Sequence, residues 1–153
     1  MQQMATAANR ARTLVEAIEV AAVRLPEHTG WQPVAGWVVD APGAHAQDPA
    51  DRVEQVYPAT AARAADTDLA QACLATGRVA QAATTVEGRT LSRVALPVLV
   101  ADEVVAVLEV LADESPLSEP AHDLVHQVAA QLAVVAERER AAAALAAARD
   151  RFM

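Results

Sequence analysis

The feature that most restricts what this chain can fold into is the stretch from Val94 to Ala112, where two valine-rich aliphatic runs flank Ala101-Asp102-Glu103. Each run is too short to cross a membrane and dense in β-branched side chains, which pack best on a pleated surface. The pair predicts two antiparallel strands joined by a tight turn, buried on at least one face and central to a sheet. Glu109 interrupts the second run near its end. An unpaired carboxylate is costly to bury, so Glu109 is expected to reach a sheet edge or a backbone donor.

The remaining elements are placed around that hairpin. Apolar residues at Ala8, Ala11, Leu14, Val15, Ile18, Ala21, Ala22 and Leu25 follow the three-and-four spacing of an amphipathic helix from Ala5 to Leu25, which Pro26 is expected to stop. Gln32 to Asp40 has strand composition, with Gly36 permitting a close backbone approach and Trp37 as a large side chain. Ala41-Pro-Gly43 is a turn signal and Ala44 to Asp51 a surface loop. Val53 to Tyr57 alternates like a half-buried strand that Pro58 ends. After Ala59 to Ala65, which carries little information, Asp66 or Asp68 is expected to cap a short helix through Ala75, closed by Gly77. A short strand from Val79 to Ala83 and a turn at Gly88 lead into the hairpin.

Beyond the hairpin, Asp113 to Pro116 forms a loop, and Ser118 with Pro120 starts a helix that nothing breaks before Phe152. Its stripe runs Val125, Val128, Leu132, Val135, Glu139, Ala142 and Ala146. The first half is expected to pack on the sheet or on the first helix. Glu137-Arg-Glu-Arg140 and the alanine-rich tail are expected to extend beyond the body and pair with a second copy, because a lone helix of Ala, Arg and Glu gains little by standing free.

The length, 153 residues, is that of one domain with a real core. Alanine dominates its apolar fraction and aromatics are only 3%, so the core packs through Val, Leu and Ala. Twenty acidic residues stand against twelve basic ones, all arginine, for a net charge of −8. That field repels phosphate backbones and anionic headgroups, which argues against nucleic-acid and membrane-surface roles. A single cysteine, Cys73, excludes an internal disulfide and fits a reducing compartment. No stretch has the form of a signal peptide or reaches membrane-spanning length, so a cytoplasmic location is expected.

The strand Pro97-Val-Leu-Val100, the turn, the strand ending near Glu109, then Leu117-Ser-Glu-Pro120 and a long helix containing Gln131-Leu132 together resemble the C-terminal half of a GAF domain. Gly30-Trp31, Gly36-Trp37-Val38-Val39-Asp40, and Leu69-Ala-Gln-Ala-Cys-Leu-Ala-Thr-Gly-Arg-Val79 resemble the first strand and the mid-domain helix of that family with the turn that follows. The resemblance covers nearly the whole chain and is carried by the order and spacing of the pieces. It implies an α+β fold, a central antiparallel β-sheet flanked by N- and C-terminal helices. It further implies a non-enzymatic sensing and dimerisation domain of bacterial signalling proteins, with a small-molecule pocket between the sheet and its covering loops. In this family the first and last helices commonly pair in a parallel dimer bundle. The chain then divides into a dimerisation helix at 1–28, a GAF-like core at 29–136 and a helical extension at 137–153 toward an output domain in the same chain or a partner signalling protein. Leu14, Ile18, Val125, Val128, Leu132 and Val135 are the expected homodimer interface.

Four residues are candidates for the ligand site. Trp37 and Tyr57, the aromatics on predicted strands, either fill the core or wall the pocket. Arg93 is a candidate anion anchor. Cys73 reads as a small apolar residue of the mid-domain helix. Some relatives hold a bilin on such a cysteine, often beside a histidine, but Leu74 follows here. The cyclic-nucleotide pattern of the family is absent, as is any lysine. Ala64-Ala-Asp-Thr-Asp68 replaces the glycine-rich turn of many relatives, and His45 is the one mid-domain histidine that could face a haem. The cofactor is left unknown.

His122-Asp-Leu-Val-His126 sets two imidazoles on one helical face, as in zinc proteases, but Asp123 replaces the glutamate and no third ligand is identifiable, so no metal is expected. His122-Asp123 followed by Gln127 and Gln131-Leu132 also resembles the phosphoaccepting His-Asp of one class of histidine kinase. An alternative function is therefore a dimerisation and phosphoacceptor segment centred on His122, and a further one a ligand-free dimerisation spacer. Ser92, Ser115 and Ser118 lie near no histidine with an arguable role, and no glycine-rich phosphate loop occurs, so enzymatic activity is not expected.

Overall fold

The two valine-rich runs pair as an antiparallel hairpin at the middle of the sheet. In chain order the elements are α1 (Leu14–Thr29), β1 (Gln32–Val39), β2 (Val53–Tyr57), α2 (Asp68–Thr76), β3 (Ala80–Val86), β4 (Arg89–Val100), β5 (Glu103–Ala112) and α3 (Glu119–Phe152). The structure, a computed structural model, describes residues 13–39, 53–57 and 67–152. The helical start before Thr13, the turn and loop from Asp40 to Arg52 with His45, and the segment from Pro58 to Asp66 lie outside the described residues. The five strands form one antiparallel sheet in the order β2-β1-β5-β4-β3.

Strand alternation splits the hairpin between two cores. Val94, Leu96, Val98 and Val100 of β4, with Ala106, Leu108 and Val110 of β5, face the helices. There they meet Ile18 and Leu25 of α1 and the stripe of α3. Burying aliphatic side chains of this size gains about 1.5–3 kcal/mol each, so this layer is the main source of stability. The opposite face carries a smaller cluster of Ala35, Trp37, Ala70, Cys73, Ala95 and Val107, covered by α2.

The apolar stripe of α3 packs on the sheet and first helix as expected, and this corrects the interface assigned to the same residues. Leu14, Ile18, Val125, Val128, Leu132 and Val135 are all buried within the single chain. They are spent on its own core and present no surface to a second copy. Among the described residues, the large apolar side chains that face outward on the helices are Val23, Val134 and Leu145.

Three local features position the helices. Pro26 does not stop α1, which continues to Thr29. A proline near the C-terminal end removes one rung of the helix, and the next groups still close: the Gly30 N–H donates to the Pro26 carbonyl at 3.0 Å. Gly30, at φ 78°, makes the left-handed exit. The cap of α2 is Thr67, with Asp68 as its first residue and Gly77 as its left-handed end. Ser118 starts α3, its Oγ accepting from the Ala121 N–H, while Glu114 accepts from both the N–H and the hydroxyl of Ser118. Those two donors hold the Glu114 carboxyl below its ordinary range.

Glu139, the charge that interrupts the stripe, ties the two chain ends together. Its Oε2 accepts from the Leu14 N–H at 2.9 Å, meeting one of the orphan donors at the start of α1 from 125 residues away. One residue on, Arg140 pairs with Glu103 at the hairpin tip, at 3.2 Å. From Ala141 almost every side chain of α3 is exposed.

Two positions test this packing. Gly36 lies directly beneath α1, and a Cβ built there would stand 2.7 Å from Ile18 Cγ2. Gly36→Ala should destabilise by about 1–3 kcal/mol through overpacking, seen as a lower urea midpoint at unchanged slope. In the hairpin turn Ala101 has φ 50° and Asp102 φ 66°, the left-handed pair that a two-residue turn of this twist demands. Alanine pays a steric penalty there, so Ala101→Gly should raise the midpoint by an amount worth about 1 kcal/mol.

Candidate functional site

The α2 face of the sheet is where charge and aromatic surface come together. β5 is the central strand, and its Glu109 lies in register with Ala35 of β1 on one side and Ala95 of β4 on the other. Two methyl-sized neighbours leave room for a carboxylate between them. Arg93 sits diagonally on β4, opposite Leu111, and its Nη2 lies 3.3 Å from both Glu109 oxygens. The Glu109 side chain is 1% exposed and that of Arg93 23%. Glu109 therefore reaches neither a sheet edge nor only a backbone donor, contrary to the sequence expectation: its partner is a guanidinium on the next strand. The cost of burying it is offset by a charge-assisted bond.

The shared face depends on a bulge. From Val98↔Ala106 to Leu99↔Val104 the register slips, leaving Val105 as an extra residue on β5. Without it Arg93 would stand opposite Val110, and Glu109 would turn to the helical face, away from it. Sequence periodicity carries no mark of that extra residue.

Of the four expected ligand residues, the structure brings three to this face. Trp37 and Cys73 are buried in the same small cluster, beside Val107. Arg93 shares their side of the sheet, with its guanidinium engaged by Glu109. Tyr57, on the outer strand β2, packs instead against the core on the helical side. Burial pushes the Cys73 thiol up to about 12 from an ordinary 9.0. It is therefore a neutral thiol at physiological pH and serves as apolar wall, not as a nucleophile for covalent attachment. Native protein should accordingly react with a disulfide reagent such as DTNB at least about a hundredfold more slowly than the urea-unfolded chain. Comparable rates in the two states would contradict this burial.

The histidine pair of α3 is spread apart in its environment. His122 is half-buried in the first turn, and His126 is exposed beside Gly77 and Pro97. Among the described residues no group of three or more His, Cys, Asp or Glu side chains is disposed to hold a metal ion. No helix of the described residues is long and apolar enough to cross a membrane.

A five-stranded antiparallel sheet with the end helices on one face and a short helix on the other is the GAF-like α+β fold. Neither a protein-family model nor a curated protein matches the sequence. Solved structures do match in fold. The GAF domain of the phosphoenolpyruvate-protein phosphotransferase from Acinetobacter superposes with a TM-score of 0.64 at 13% identity, over 92% of each chain. The GAF domain of the potassium sensor histidine kinase KdpD from Escherichia coli gives 0.61 at 16%, over 94% of this chain and 95% of that one. Residues 122 to 287 of a methyl-accepting chemotaxis protein give 0.63 at 17%, over 91% and 96%.

Proposed function

We propose that this chain is a non-enzymatic, GAF-like signal-sensing domain that takes a small molecule on the α2 face and passes its state to the C-terminal helix. The single observation that carries this reading is the division of labour between the two sheet faces. One face binds the helices from both chain ends, pinned together by Glu139 and the Leu14 N–H. The other holds a buried ion pair, Arg93–Glu109, beside Trp37 and Cys73. A ligand that altered the second face would act on β4 and β5, the same strands on which α3 is packed.

Three of the matched structures come from a chemotaxis protein, a phosphotransferase and a sensor kinase, which supports a place in signalling. The proposed layout is a helical segment at 1–28, a sensing core at 29–136 and a helical extension at 137–153 that reaches an output domain or partner. Homodimerisation through outward faces of the end helices, and a cytoplasmic location, belong to the same proposal. The lone buried cysteine is consistent with a cytoplasmic location.

Native mass spectrometry of the protein as purified tests the reading. A co-purifying small molecule, lost in Trp37→Ala while the fold is retained, is the expected result. If no molecule co-purifies, and a metabolite panel moves neither the fluorescence of Trp37 in a Trp31→Phe background nor the melting temperature, the chain is a ligand-free spacer.

A further inference from the structure

β4 is longer than its neighbour, and the difference leaves a groove. The register of β3 on β4 begins at Ala80↔Ala95. From Leu96 to Val100, therefore, the outer margin of β4 has no strand beside it among the described residues. The turn Gly77-Arg78-Val79 and the helix α3 stand on either side of this gap and enclose about 560 Å³. The volume falls in the range of small-molecule sites. The walls are apolar: Val79, Pro97 and Leu99 on the sheet side, Ala129 and Ala133 on the helix. Leu99 is one of the few large aliphatic side chains left open, at 36%.

Two polar side chains complete the lining, Arg78 and His126. Both are exposed, and neither side chain has a hydrogen bond or ion pair among the described residues. A guanidinium with no ion pair among the described residues thus stands beside an apolar hollow in a chain of net charge −8. Guanidinium binds a carboxylate through paired N–H donors, and the imidazole offers one more ring N–H. The groove shares no residue with Trp37, Cys73, Arg93 or Glu109.

We infer that this groove is a second binding site, for a small amphipathic carboxylate whose apolar tail lies between Leu99 and Ala133 and whose anionic end meets Arg78 and His126. An open strand margin also invites an added peptide strand. Here Pro97 removes one N–H from a margin only five residues long, which favours the small molecule.

Octanoate is the probe, titrated into the full chain by calorimetry and by amide shifts, with 1-octanol as its uncharged counterpart. Octanoate should bind saturably, with shifts at Ala129, Ala130 and Ala133, and about tenfold more tightly than octanol. Arg78→Gln should weaken octanoate about tenfold and leave octanol unchanged. Ala130→Phe, at an exposed lining position, should abolish both while the melting temperature stays within about 2 °C. Equal affinity for the two probes, indifference to Arg78→Gln, shifts confined to the α2 face, or no saturable binding would each overturn the inference. So would an extended Leu-Glu alternating peptide that binds the groove while octanoate does not, which would assign it to strand addition.

Discussion

Arg93→Ala is expected to destabilise the domain by about 3–5 kcal/mol, although the side chain removed is partly exposed and polar. The cost comes from what is left behind. Glu109, buried on the central strand, would lose its guanidinium, and the two alanines in register with it offer no donor from their side chains. Truncating one partner of a buried pair costs more than the pair is worth, so replacing both tells a different story. Arg93→Met with Glu109→Leu should recover most of the loss. Urea denaturation of the two singles and the double measures the coupling directly. A loss under about 1 kcal/mol for Arg93→Ala would show that the buried carboxylate is held by other groups.

Val128→Glu is the second large effect, and its expected form follows from where the stripe points. Val128 is buried between α3 and the sheet, 2% exposed. A carboxylate there has no partner in a layer of valine, leucine and alanine, and the cost should reach about 4 kcal/mol or more. Circular dichroism and denaturation should report a loosened or unfolded monomer, not a folded chain that has lost its twin. Val134→Glu is the contrasting variant. Val134 is 37% exposed on the same helix, so the melting temperature should hardly move. Any loss of self-association in sedimentation would then map an interface. A folded monomer from Val128→Glu would remove the residue from the core.

Much of this architecture could be read from residue pattern, and the failures have physical causes. The hairpin was legible because β-branched density and a short polar break are local properties. The close approach at Gly36, the left-handed exit at Gly77 and the unbroken α3 were legible for the same reason. Pro26 does not end α1, because one missing rung so near the C-terminus is tolerated and the Gly30 N–H still closes onto the Pro26 carbonyl. Thr67 rather than an aspartate precedes α2, and it makes no side-chain capping bond, so capping preference carried no signal there. The stripe Val125, Val128, Leu132 and Val135 was visible as apolar, but periodicity cannot say whether such a face meets its own sheet or another chain. The ion pair at the candidate site was hidden by Val105: one unannounced residue decides which face Arg93 shares.

The tethers at Glu139 and Arg140 set the mechanical character of what lies past them. Ala141 to Phe152 is a rod roughly 18 Å long with almost no packed neighbour among the described residues. With its pivot fixed against α1 and the hairpin tip, a tilt of about 10° carries the far end through about 3 Å. A rotation at the pivot therefore appears at the far end as a displacement of side-chain size.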